Sequence, residues 1–255
     1  MKKLIKKIIN RSGYEIKKIK PGSKVSTIGS DQRPVGRMDF LLQDLNKRGL
    51  VCNSVLDVGA NKASWSRLAK RVFPSANFCL IEPQLEMKEE LEEFCRDFEG
   101  SIYILAGAGS QKGLSTFTVW EDLAGSSFVP KPDENLKKVG KQREVEIIAI
   151  DDLIGSSRIT VPELIKLDIQ GYELEALMGA SKTFGYTEAY IMEVSLFQFF
   201  QDMPIFFDVV NFMMERDYVV YDFPGFLRRP IDGALGQCDI CFVKKNGFLR
   251  ANTSW

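Results

Sequence analysis

Four carboxylates stand where an α/β protein can put chemistry. Asp57 lies in the apolar run Ser54–Val58, and the small residues Gly59, Ala60 and Asn61 follow directly. Glu82 closes a second apolar run, Phe78–Ile81, and sits 25 residues after Asp57, one βαβ step. Asp168 ends the run that starts at Leu164, and Glu193 lies near the exit of Tyr190–Val194. A strand, a small-residue turn and a helix N-terminus form a concave pocket rich in backbone N–H groups, and an acid after the second strand is where a nucleotide ribose is held. The set suits a ligand with ribose hydroxyls and an ammonium group. An αβ turn without a ligand, with Glu82 a solvated strand end, is the alternative, and the spacing favours the ligand. Glu193 needs partners if its strand is buried, so it is either hydrogen-bonded structure or part of a site.

The chain contains no histidine. Ser-His-Asp triads and Cys-His dyads are therefore excluded, and any general base is Asp, Glu, Lys, Tyr, Cys or water. Lys+Arg and Asp+Glu both number 34, so the net charge is zero, which argues against a nucleic-acid partner. Five scattered cysteines fit a reducing, cytoplasmic setting. No apolar run approaches a membrane span, and the basic N-terminus lacks the uninterrupted apolar core of a signal peptide.

The elements that must position these residues follow from pattern. Residues 1–20 carry eight Lys/Arg and one Glu, with Leu4, Ile5, Ile8 and Ile9 at helical spacing. That predicts a short basic amphipathic helix, docked on protein or in weak contact with an anionic membrane surface. With the Gly/Ser/Pro-rich linker it makes an N-terminal part over 1–36, before an α/β domain over 37–255. A helix over Arg37–Arg48, ended by Gly49, is expected to cover one edge of the pocket. Ser64 is placed to cap the helix Trp65–Phe73. Leu85–Phe98 reads as a helix and Ser101–Leu105 as a strand. The run Ala106–Gly109 is either a turn that admits a flat ring or a plain turn. Strands are expected at Leu114–Trp120 and Arg143–Ile150, with a mobile loop over Leu123–Gly140 near the pocket mouth. Asp151-Asp152 suits a helix N-cap better than a metal pair, and no metal site is predicted.

Leu164–Asp168 is apolar on both faces, as a central parallel strand should be, with a turn at Gly171 and a helix over Glu173–Met178. If the strand order reverses between it and the first strand, Asp57 and Asp168 flank the crevice. Ile205–Arg216 is an amphipathic helix. Tyr218–Phe223 and Cys238–Lys244 are strands, expected to be antiparallel and joined by the turn-rich Pro224–Gly236. Cys238 and Cys241 form a CxxC, but inside a strand residues three apart face opposite sides, so coincidence is the better reading.

Asp57-Val-Gly-Ala-Asn61, Ile81-Glu-Pro83, Lys166-Leu-Asp-Ile-Gln-Gly171 with Glu173, and Gly233–Val243 closely resemble the FkbM family of S-adenosylmethionine-dependent methyltransferases. The likeness runs from about Arg37 to Lys244 and implies a Rossmann-like, mostly parallel seven-stranded sheet, with helices on both faces and the last strand antiparallel. It implies methyl transfer to a hydroxyl of a sugar, glycan or secondary metabolite. Residues Asp57, Gly59, Ala60 and Asn61 would hold the methionine part of the cofactor and Glu82 the ribose. The Ala106–Ala108 turn, with Gly107 and Ala108, would lie near the adenine and Asp168 near the reacting methyl. Asp168 and Glu193 are the candidates for base or orienting group. The family usually has glycine where this chain has Ala63, and alanine disfavours a left-handed backbone there. Two rivals remain: a nicotinamide-dependent oxidoreductase, for which Gly59–Ser64 supplies only the first glycine of G-x-G-x-x-G, and a degenerate binding module acting through residues 1–20.

Overall fold

The computed structural model describes residues 33–254. The basic helix expected over residues 1–20, with its membrane-surface contact, and most of the linker lie outside the described residues. Strands β1 (Ser54–Val58), β2 (Asn77–Ile81) and β3 (Ile102–Ile104) pair in parallel, as do β1 with β7 (Leu164–Leu167) and β7 with β8 (Ala189–Ser195). Strand β10 (Leu235–Lys244) is antiparallel to both its neighbours, β8 and β9 (Tyr218–Arg228). The order is β3-β2-β1-β7-β8-β10-β9, the expected seven-stranded Rossmann-like methyltransferase sheet. The chain runs outward from β1 in one direction and then restarts at β7 beside it. That reversal opens a crevice at the C-terminal ends of β1 and β7, where open α/β sheets bind ligands.

Alternation along the strands divides the core in two. Leu56, Val58, Ile165, Leu167, Met192 and Ile240 pack beneath helices α5 (Ile150–Gly155), α6 (Glu173–Met178) and α7 (Phe206–Met214). Val55, Leu80, Leu164, Ile191, Cys241 and Val243 pack beneath α1 (Met38–Lys47), α2 (Ser64–Val72) and α3 (Lys88–Asp97). Cys238 and Cys241 thus fall into different core layers, both buried and neither in a disulfide, as the strand reading of the CxxC requires.

Several local expectations are corrected. Strands β5 (Gly113–Thr118) and β6 (Gln142–Ile148) stay outside the main sheet, and Gly107–Ala108 is a short strand, β4, rather than a turn; together they form a second sheet in the order β4-β6-β5. Gly107 must lack a side chain, because a Cβ there would run into the Phe128 ring. Helix α1 buries Leu41, Leu42 and Leu45 in the layer with Cys241 and Val243 instead of edging the pocket. The segment 123–140 carries a helix, α4 (Glu134–Lys138), whose Asn135 and Leu136 N–H groups donate to the Asp133 carboxylate. Leu85 is exposed in a single 3-10 turn, and Met87 is buried in its place. Most of 224–236 is strand, with a tight hairpin tip at 229–234 closed by Arg229 N–H donating to the Ala234 carbonyl (2.8 Å). Asp151 lies in the first turn of α5, and its carboxylate accepts from the backbone of Ser181 and Lys182 (2.9 and 2.8 Å). Ser64 is the first residue of α2, not its cap; Ala63 precedes it in the left-handed conformation (φ 56°).

Candidate active site

The β1–α2 turn holds itself together. Gly59 and Ala60 N–H both donate to the Ile81 carbonyl (2.8 and 3.1 Å), Asn61 N–H donates to Glu82 Oε2 (2.8 Å), Lys62 N–H to Asn61 Oδ1 (2.9 Å), and Ala63 N–H to the Ala60 carbonyl (2.8 Å). The expected cradle of free N–H groups is therefore absent: every backbone donor from Gly59 to Ala63 is spent inside the protein. Gly59 (φ 78°) is obligatory, since a Cβ there would collide with the Asp168 carbonyl. That close approach welds the ends of β1 and β7 at the crevice.

Glu82 Oε1 accepts from Gln84 N–H (2.9 Å), so each carboxylate oxygen holds one backbone donor and keeps acceptor capacity. Burial raises the Glu82 pKa, against the lowering effect of those two N–H groups. Neighbouring Gln84 Oε1 is buried with no hydrogen-bond partner among the described residues.

Across the crevice, Gln170 ties two acids together. Its Nε2 donates to Asp168 Oδ1 (2.9 Å) and to Glu193 Oε2 (2.6 Å), which uses both amide hydrogens. Gln237 Nε2 also donates to Glu193 Oε2 (2.9 Å). Gln170 holds this pose in a left-handed backbone (φ 54°), pinned by Ser127 Oγ donating to its carbonyl (2.8 Å). Glu173 Oε1 accepts from Ile169 and Gly171 N–H (3.2 Å each) and fixes the same turn from below. Burial pushes the Glu193 carboxyl up to about 8, with Asp168 and Asp239 adding repulsion. Asp239 faces Glu193 across the β8–β10 ladder and is raised to about 6, again chiefly by burial.

Behind this pair lies a buried charge. Lys166 Nζ donates to Asp168 Oδ2 at 2.9 Å, with only 7% of its side chain exposed against 32% for Asp168. Burial favours its neutral form, but Asp168, Asp57 and Asp239 outweigh that and hold its pKa above the ordinary value. Asp57, its register partner on β1, is fully buried; Oδ2 accepts from Ser66 Oγ (2.6 Å) and Oδ1 has no hydrogen-bond partner among the described residues. Asp57, Lys166, Glu193 and Asp239 thus form a polar row across four strands on one face of the sheet.

The crevice has a volume of about 410 Å³. Gly59, Asn61, Glu82, Asp168 and Glu193 line it. Asp57 and Ala60, expected to hold the methionine part of a cofactor, are not among the lining residues: Asp57 sits behind Lys166 and Asp168, and Ala60 packs in the core. Gly107 and Ala108 border a narrower cleft shared with Val58, Pro83 and Ile169. Gln170, Gln237, Lys166 and Asp239 were not singled out from sequence. The available signal was Lys166, a lone cation in an apolar strand that must find an acid. Pro83, Ile169, Phe117 and Phe128 add apolar wall, the two rings at 4.6 Å between centroids.

Four carboxylates, of Glu82, Asp122, Asp168 and Glu193, line the crevice, and no Lys or Arg among the described residues joins them. Such a cleft offers acceptors and negative charge to a cationic, hydroxyl-bearing ligand and repels phosphates. These acceptors and the apolar wall fit S-adenosylmethionine, a cation that carries ribose hydroxyls and a purine.

Sheet order and acidic crevice together place the chain among Rossmann-like methyltransferases. It belongs to the FkbM methyltransferase family: the model of the Methyltransferase FkbM domain matches residues 57–220. Comparison with curated protein sequences finds no match. Solved structures of similar shape include precorrin-6y C5,15-methyltransferase from Geobacter metallireducens (13% identity over 87% of this chain and 93% of that one, TM-score 0.44). Others are the O-methyltransferase TomG of Streptomyces achromogenes, involved in tomaymycin synthesis and in complex with SAM (8%, 81% and 78%, 0.47), and Aeropyrum pernix fibrillarin with bound S-adenosyl-L-methionine (10%, 79% and 73%, 0.43). With TM-scores below 0.5, these likenesses carry no argument about the chemistry of this chain.

Proposed function

We propose that the chain is an S-adenosylmethionine-dependent O-methyltransferase whose acceptor is a hydroxyl of a sugar, glycan or secondary metabolite. The observation that carries the reading is the acidic crevice, lined by four carboxylates and, among the described residues, by no Lys or Arg, with a β1–α2 turn whose N–H groups from Gly59 to Ala63 are all internally bonded. The cofactor supplies a methyl already activated on a sulfonium, so the protein mainly has to align oxygen, carbon and sulfur.

Glu82 accepts from ribose hydroxyls, and the Asn61 and Gln84 N–H groups keep its carboxylate aimed. Asp168, paired with Lys166 at 2.9 Å and a third exposed, faces the sulfonium end. Glu193, with a carboxyl near 8, gains and loses a proton in the working range of a general base. Gln170 and Gln237 hold its Oε2, which leaves Oε1 to take the acceptor's hydroxyl proton as the carbon–oxygen bond forms. The expected result with labelled S-adenosylmethionine and a panel of hydroxylated glycosides is base-stable label on one of them, and turnover at least tenfold lower in Asp168→Ala. Transfer only to amine acceptors would refute the oxygen specificity.

A further inference from the structure

A second hollow of about 340 Å³ opens beside the crevice, bounded by Phe199, Leu227, Arg228, Pro230, Ile231 and Gln237. Leu227 and Gln237 line both spaces, so the two adjoin, and Gln237 is also the residue that grips Glu193. The character changes along the way: carboxylates line the first space, whereas aliphatic and aromatic side chains and two arginines line the second. Ile231, 82% exposed at the hairpin tip, lines the hollow with Phe199, Leu227 and Pro230.

The wall it belongs to is braced. Arg229 stacks on the Phe197 ring (4.3 Å to the centroid) and pairs with Asp232 (3.4 Å), while Arg228 donates to the Gly233 carbonyl (2.9 Å). The patch is also small. Phe199, Leu227 and Ile231 cannot supply the roughly 800 Å² per partner that a stable protein interface buries. Its place beside the crevice, with Leu227 and Gln237 common to both, instead suits one molecule lying across the two.

We propose that the hollow between the β9–β10 hairpin tip and Phe199 binds the apolar end of the acceptor, so that the substrate is an amphipathic hydroxylated molecule, such as a glycoside with an aliphatic or aromatic aglycone. The polar, hydroxyl-bearing end then reaches Glu193 past Gln237. This rests on the methyltransferase reading for the identity of the acceptor, but the binding site can be tested without any methyl transfer.

The test compares n-octyl and methyl glucoside, titrated into the full-length protein by ligand-observed NMR below the octyl compound's micelle concentration. The octyl glucoside should bind at least tenfold more tightly than the methyl glucoside. Ile231→Asp and Phe199→Ser should remove most of that advantage, because each takes apolar wall from the site. S-adenosylhomocysteine titration of the same variants should be unchanged, which also confirms folding. Equal binding of both glucosides, or an octyl advantage that survives both substitutions, would overturn the proposal. So would a dimer in light scattering that Ile231→Asp converts to monomer, since the hollow would then belong to a second copy. Loss of S-adenosylhomocysteine binding in the wild type, with the octyl advantage intact, would refute the cofactor reading and leave the amphipathic site standing.

Discussion

Replacing Lys166 by methionine isolates the buried charge behind the crevice. Methionine is nearly as long and keeps the packing, so the change is mainly electrostatic. Asp57 is then left fully buried, with Ser66 Oγ its one hydrogen-bond partner among the described residues. Asp168 is a third exposed and can turn to water, so the cost falls on Asp57. Removing one member of a buried pair typically costs about 3–5 kcal/mol. An escape route sets an upper limit: Asp57 can fold protonated. From an ordinary carboxylate pKa of about 3.9, neutralising it costs about 1.4 kcal/mol per pH unit, so ~4 kcal/mol at pH 7 and ~1.5 kcal/mol at pH 5. Urea unfolding of wild type and Lys166→Met at the two pH values reads this directly. The variant should lose about 3–4 kcal/mol at pH 7 and less than half that at pH 5, and adding Asp57→Asn should restore most of the loss. A loss below about 1 kcal/mol at pH 7, or an equal loss at both pH values, would show that Lys166 does not neutralise Asp57.

Other expectations follow from the same geometry. Glu193 has a folded pKa of about 8, above the ordinary 4.5, so the folded state binds its proton more tightly. Its stabilising contribution is complete below about pH 4.5 and is lost as pH rises through about 8. Glu193→Gln should flatten the stability–pH curve over that window and abolish the rise of kcat toward pH 8; an unchanged kcat profile would remove Glu193 as the base. Gly59→Ala should weaken S-adenosylhomocysteine binding more than tenfold and lower Tm, because its Cβ meets the Asp168 carbonyl. A calorimetric titration equal to wild type would contradict the close approach. Ala63→Gly relieves a left-handed alanine worth about 1–2 kcal/mol but gives up a buried methyl worth about 0.8 and adds chain entropy. Denaturation should therefore find it within about 1 kcal/mol of wild type, and a larger loss would mean that the methyl packs more tightly than its burial implies.

The strands that carry Asp57, Glu82, Asp168 and Glu193 were legible because each is a short apolar run ended by a small residue or an acid, and the sheet they form was implied by the resemblance to the FkbM family. What pattern could not supply was register. Asp57 looked like a ligand contact because it stands beside a glycine turn, yet parity puts it on the sheet face toward Lys166, covered by α2. Gln170 and Gln237 are 67 residues apart in sequence. Only the antiparallel β8–β10 ladder brings them to the same carboxylate, so no local signal joins them. The turn N–H groups were misread for a similar reason: their acceptors, the Ile81 carbonyl and Glu82, come from the next strand. Asp151 was read as a cap for its own helix, whereas the turn it bonds starts 30 residues later.

The central claim is that the acidic crevice holds S-adenosylmethionine through Glu82. Calorimetric titration of wild type and Glu82→Gln with S-adenosylhomocysteine tests it most directly. Glu82 is the sound control, since changing Asp57 would perturb the core. Micromolar binding by wild type, at least tenfold weaker in Glu82→Gln while the far-UV spectrum is unchanged, is the predicted result. Folded wild-type protein that takes up no S-adenosylhomocysteine, or binding indifferent to Glu82→Gln, would contradict the account.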